Sequence, residues 1–149
     1  MYYFSYGENM DQATMAFNCE KAVPVGKAVL DGFKFVMNSD GFAAMVPEAG
    51  RRVIGVLWKV DPFAELALNS AMGVTAGKSG SLNLNVRIGR NRQVRALVYL
   101  PNNTRPSLCD GYALDRILEG ARDFNLPAAY LDYLESWNRD LAHAAVHAA

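Results

Sequence analysis

The segment Tyr3-Phe4-Ser5-Tyr6-Gly7-Glu8-Asn9-Met10 carries the densest chemical signal in the chain. An aromatic run suited to a strand stops at a glycine, and polar residues and a helix start follow. Such a turn presents backbone amides and an amide side chain to a polar or anionic ligand. On the residues alone, an ordinary strand-to-helix turn is the favoured reading over a binding loop. If it is a binding loop, Tyr6, Gly7, Glu8, Asn9 and Met10 are its candidate residues.

Other combinations fail for stated reasons. Gly77-Lys78-Ser79 resembles the end of a phosphate-binding loop. That motif needs a glycine five positions before Gly77, where this chain has Met72, and the segment follows a helix rather than a strand. A flexible turn is the expectation there. His143 and His147 are four apart, a metal-binding spacing, but no acid or thiol lies near them in sequence. They read as surface histidines, and no metal is expected. No serine or cysteine sits in a nucleophile motif, and no other histidine exists to serve as its base.

The elements that position these residues follow from patterning. Tyr2 to Tyr6 reads as a strand and Met10 to Phe17 as a short helix opening near Asn9 or Asp11. Val23 to Leu30 and Phe33 to Asn38 read as a hairpin about Asp31-Gly32. Phe42 to Val46 is a further short strand, and Val53 to Val60 is apolar enough for a central one. Asp61-Pro62 opens a helix running to about Met72. Leu82, Leu84, Val86 and Ile88 alternate with polar residues, and Val94 to Leu100 returns as the partner strand. Pro101 to Pro106 is a loop. One helix carries Leu114, Ile117, Leu118, Ala121 and Phe124, after a Ser107/Asp110 capping box. A second, entered through Pro127, carries Tyr130, Leu131, Leu134, Trp137 and Leu141; residues 142–149 read as a fraying tail. The fold class is therefore α+β: a mixed, mainly antiparallel sheet closing into a small barrel, with helices packed around it.

Bulk properties bound the rest. The 149 residues suit a single domain, 1–149, without repeats or linkers. Fifteen basic and fifteen acidic residues give zero net charge, which draws the chain to neither nucleic acid nor anionic membrane. Arg87, Arg90, Arg92 and Arg95 form the one dense basic stretch and read as a solvated hairpin end. No apolar run approaches the roughly 20 residues needed to span a bilayer. Cys19 and Cys109 are too few for a disulfide framework. The expectation is a cytoplasmic, soluble protein. The apolar faces of the last two helices fit the core or a homodimer equally well.

These residues also carry a resemblance. Tyr3 to Met10 is similar to the Y-F-x-Y-G-S-N-[LM] signature of the γ-glutamylcyclotransferase superfamily. Gly55-Val56-Leu57-Trp58 resembles that family's G-V-[LV]-[WY] strand, and Glu65 to Val74 its E-L-x-x-L-D-x-x-E-G-V helix end. Val98-Tyr99-Leu100, Pro106-Ser107 with Tyr112, and Gly120-Ala121-Arg122 through Leu126-Pro127 and Tyr130 follow in order, so the match spans roughly residues 2 to 135.

The resemblance implies cleavage of a γ-glutamyl amide by the substrate's own α-amine, which attacks the γ-carbonyl and releases 5-oxoproline and a free amine. That amine is protonated at neutral pH, so a carboxylate must remove its proton. The glycine loop holds the glutamyl group and offers amides to the developing oxyanion. No metal or cofactor is needed. In the aligned helix end the carboxylate position holds Met72 and the preceding aspartate position holds Asn69, while Glu8 replaces the loop serine. Tyr99 and Tyr112 are candidate pocket residues with the loop and Met72; core tyrosines fit equally. Three readings stay open. The chain binds a γ-glutamyl or other small amino-containing metabolite with classical catalysis altered or lost. It is an active cyclotransferase using Glu8 as a relocated base. Or it is a structural or partner-binding domain.

Overall fold

The computed structural model describes residues 1–141. The expected tail and both histidines lie outside them. Five strands close a barrel in the order β1-β3-β2-β4-β5. They are β1 (Tyr2–Ser5), β2 (Val23–Met37), β3 (Ala43–Lys59), β4 (Ser79–Ile88) and β5 (Arg92–Pro101). Every pairing is antiparallel except β1 with β5, which closes the barrel in parallel at Tyr3 and Leu97. A 3-10 turn (Glu8–Met10) leads into α1 (Gln12–Asn18); α2 (Ala64–Ala71), α3 (Gly111–Asp123) and α4 (Ala128–Glu135) complete the fold. The expected α+β barrel with surrounding helices is what forms.

The second and third strands differ from expectation. Asp31-Gly32 is not a hairpin turn: β2 runs through it, with a register shift between Asp31 and Phe33. Gly32 takes φ +86°, a left-handed value that serves a bulge as readily as a tight turn. Arg87 of β4 bonds the Asp31 carboxylate, with Nε to Oδ2 at 3.3 Å. The reversal comes later, at residues 38–42. There Asn38 Oδ1 accepts from the amides of Asp40 at 3.0 Å and Phe42 at 2.9 Å. Gly41 takes φ +83°. The two short strands expected around Phe42 to Val46 and Val53 to Val60 are accordingly one strand, β3.

Helix ends also shift. Asp61 Oδ1 accepts from Phe63 N at 2.7 Å, and α2 starts only at Ala64. Asp110, not Ser107, caps α3, accepting from Ala113 N at 2.9 Å. Ser107 instead gives its amide to Met37 O at 2.9 Å, so it belongs to the loop that passes the β2 end. The helix entered through Pro127 stops at Glu135, where the chain turns to pair Asn138 with Cys109, and helix resumes at residues 139–141.

Two glycines let elements approach the site. A Cβ on Gly55 of β3 would overlap the Ser5 carbonyl of β1 and touch the Phe4 ring. A Cβ on Gly120 of α3 would overlap the backbone of Met10 and Asp11. The first sets the distance between β3 and β1, and the second presses α3 against the 3-10 turn.

Candidate functional site

A cavity of about 410 Å³ opens where β1 ends. Four segments wall it. Tyr3, Phe4, Tyr6, Gly7, Glu8 and Asn9 come from β1 and the turn after it, with Asn18 from the end of α1. Asn38, Asp40, Phe42 and Ala43 come from the β2–β3 reversal. Ala71, Met72, Gly73, Lys78 and Ser79 come from the α2 end and the segment into β4, and Tyr99, Pro101 and Asn103 from β5 and beyond.

The Gly7 turn is fixed by packing. A Cβ on Gly7 would stand 2.9 Å from Ala43 Cβ, closer than side chains approach. The following 3-10 turn closes with Met10 N donating to Gly7 O at 3.0 Å and Asp11 N to Glu8 O at 3.0 Å. Glu8 and Asn9 open that turn, so their amides have no partner within it. Asp11 then caps α1, accepting from Thr14 N at 3.1 Å, and pairs with Arg116 of α3 at 3.5 Å.

Asn9 is buried at the centre of a polar chain. Its Nδ2 donates to Tyr3 Oη at 3.0 Å and to Met72 Sδ at 3.3 Å, while its Oδ1 accepts from Asn18 Nδ2 at 2.8 Å. Tyr6 Oη donates to Tyr99 O at 2.6 Å, and Tyr99 Oη donates to Asn69 Oδ1 at 2.7 Å. Burial pushes the Tyr3, Tyr6 and Tyr99 hydroxyls well above the ordinary phenol range, so all three remain neutral hydrogen-bonding groups at physiological pH. The thioether of Met72 accepts a hydrogen bond weakly and carries no proton. The charged groups on the wall are Glu8, Asp40 and Lys78. Asp40 Oδ2 accepts from Asn103 Nδ2 at 2.9 Å. Asn102 N, one residue earlier, donates to Lys78 O at 2.9 Å, so one short segment braces both charged residues.

A family model described as gamma-glutamyl cyclotransferase, AIG2-like, matches residues 3–120. The chain belongs to this family. Solved structures agree on the fold. One, titled gamma-glutamyl cyclotransferase, is 24% identical with a TM-score of 0.84, over 91% of this chain and 86% of that one. An uncharacterized protein from Homo sapiens is 24% identical with a TM-score of 0.83, over 90% and 85%. YkqA from Bacillus subtilis is 25% identical with a TM-score of 0.77, over 91% of this chain and 53% of that one. No curated protein matches the chain.

Within this gamma-glutamyl cyclotransferase, AIG2-like fold, Tyr6, Gly7, Glu8, Asn9, Met72 and Tyr99 all line the cavity. Met10 and Tyr112 do not. Met10 is fully buried beneath the turn, where α3 presses on it. Tyr112 is 83% exposed, because it lies on the face of α3 opposite the buried Leu114, Ile117, Leu118 and Ala121. Asn18, Asp40, Lys78 and Asn103 were not singled out from the sequence as site residues. For Lys78 a signal existed: the Gly77-Lys78-Ser79 segment that fails as a nucleotide motif reaches the cavity wall. Asp40 stands beside Gly41 in the β2–β3 reversal, with nothing local in the sequence to show what that turn faces. Among the described residues no group of acids, histidines and cysteines could hold a metal ion. No helix of the described residues is long and apolar enough to cross a membrane.

Proposed function

We propose that the cavity binds a small γ-glutamyl compound, and that classical cyclotransfer is altered or lost. One observation carries the reading: the Asn9 amide, inside the cavity, finds a thioether as its partner at residue 72. By resemblance Met72 stands where the family's base would stand. A γ-glutamyl group offers an α-carboxylate, an α-ammonium and a γ-carbonyl. Lys78 supports the first and Glu8 or Asp40 the second. Asn9 Nδ2, with the Glu8 and Asn9 amides, supports the carbonyl. The attack that closes 5-oxoproline still requires a proton to leave the ammonium, and a thioether cannot take it.

A second reading rests on Glu8, the loop carboxylate on the cavity wall, as a relocated base. The open cavity speaks against a purely structural domain, which has no use for it.

The test is calorimetric titration with L-γ-glutamyl ethylamide and with 5-oxoproline, beside an assay for released 5-oxoproline. Saturable binding without turnover, with Glu8→Gln changing affinity alone, is the expected result. Turnover abolished by Glu8→Gln establishes the second reading instead. Neither binding nor turnover with any γ-glutamyl amide overturns both.

A further inference from the structure

Two consecutive asparagines tie together the two cavity walls that carry Asp40 and Lys78. Asn102 donates its main-chain amide to Lys78 O at 2.9 Å and its Nδ2 to Gly77 O at 3.0 Å. Asn103 Nδ2 donates to Asp40 Oδ2 and to Ser39 Oγ, both at 2.9 Å. Asp40 is fixed a second time through its main chain. The buried Asn38 accepts the Asp40 amide on Oδ1 at 3.0 Å and donates Nδ2 to Asn103 O at 2.9 Å. The amide of Asn103 is itself oriented from both ends. Its Oδ1 accepts from Arg105 N at 3.0 Å, a main-chain group that only donates, and its Nδ2 faces a carboxylate, which only accepts. Reversal would break both bonds.

The Asp40 carboxylate is thus held on the cavity wall, yet it enters no ion pair among the described residues. Glu8, the other carboxylate on that wall, is exposed, and no hydrogen bond of its side chain anchors it among the described residues. We infer that Asn103 is a positioning residue of this site: it holds Asp40 as the counter-ion for the ammonium group of an α-amino acid head. Because Asn102 and Asn103 are adjacent, the segments bearing Asp40 and Lys78 keep one spacing. A fixed anion beside a fixed cation-bearing segment suits a head with ammonium and carboxylate on one carbon. A carboxylate ordered before binding also loses less freedom when the ligand arrives. Pairing keeps the ammonium charged, and a charged ammonium has no lone pair with which to attack the γ-carbonyl. The inference deepens the γ-glutamyl reading and rests on it for the identity of the ligand.

Two probes differing by one amino group test it by calorimetric titration of the full chain: L-γ-glutamyl ethylamide and glutaric acid monoethylamide. The wild type prefers the first about fivefold, the upper end for an ion pair that water still reaches. Asn103→Ser keeps a hydroxyl that accepts from Arg105 N, so the local turn survives, but it is too short to reach Asp40. It lowers the preference while affinity for glutaric acid monoethylamide stays near wild type. A merely structural role for Asn103 would weaken both probes alike. Asp40→Asn still accepts from Asn103 through its side-chain oxygen; it abolishes the preference, and Asn103→Ser then adds no further loss. Glu8→Gln removes the same charge from the same wall and keeps most of the preference.

Asn103→Ser weakening both probes equally, or Glu8→Gln losing as much preference as Asp40→Asn, would overturn the inference; the latter would reduce Asp40 to one part of a general negative field. Equal wild-type affinity for the two probes overturns it while leaving the γ-glutamyl pocket standing. Wild-type protein that binds neither probe overturns the γ-glutamyl reading and this inference with it.

Discussion

Gly120, in the third turn of α3, lies against the main chain of Met10 so closely that a methyl group there would overlap the Met10 carbonyl. The helix surface is thereby pressed onto the turn that carries Glu8 and Asn9. Gly120→Ala must push α3 outward or shift the turn. Overpacking of this kind costs about 1–3 kcal/mol. Urea unfolding should show that loss, and ligand affinity should fall with it. A variant as stable as wild type would mean that α3 does not brace the turn.

Met72→Glu places a carboxylate within reach of the Asn9 amide, which now donates to Sδ at 3.3 Å. If proton removal is what the cavity lacks, release of 5-oxoproline from γ-glutamyl amides should rise about 100-fold or more, the usual scale of general-base catalysis. The measurement is product formation by the purified, folded variant. No gain in a variant that still binds the amide would show that more than a base is missing.

Ser5 joins β1 to β3 through its side chain. Its Oγ accepts from Trp58 Nε1 at 2.9 Å and donates to Val56 O at 3.3 Å, all of it buried. Ser5→Ala leaves the indole N–H without a partner, a cost of about 1–3 kcal/mol. Denaturant unfolding measures the loss, and Trp58 fluorescence reports the changed environment.

Alkaline pH should unfold the protein. Burial raises the Tyr3 and Tyr6 hydroxyls above their ordinary values, so the folded state keeps protons that the unfolded chain releases near pH 10. The unfolded state then binds fewer protons, and stability falls as pH rises. Below about pH 9 the tyrosines are neutral in both states and contribute no slope. Above about pH 10 each adds a slope of about 1.4 kcal/mol per pH unit, until it titrates in the folded state. Urea midpoints across this range check the sign, and Tyr6→Phe should flatten the curve.

Local pattern in the sequence specified much of this molecule. The alternation of Leu82 to Ile88 with its return strand fixed β4 and β5, because period two reports which face of a strand is buried. The spacing of Leu114, Ile117, Leu118 and Ala121 marked the buried face of α3 in the same way. The run from Tyr3 to Asn9 marked a glycine turn at a strand end, and that turn lies on the cavity wall. What local pattern left open was decided by pairing across the barrel. Asp31-Gly32 supplies a left-handed φ that suits a turn; but the partners of Asp31 and Phe33, Arg52 and Pro47, both belong to β3, so β2 continues through the segment with a register shift. Asp40 and Lys78 lie far apart in sequence, and no periodicity links them. They share a cavity wall because the β2–β3 reversal and the α2–β4 segment converge on the mouth of the closed barrel, where Asn102 and Asn103 hold both. A side chain's residue type is local, but the surface it faces is set by closure of the whole sheet.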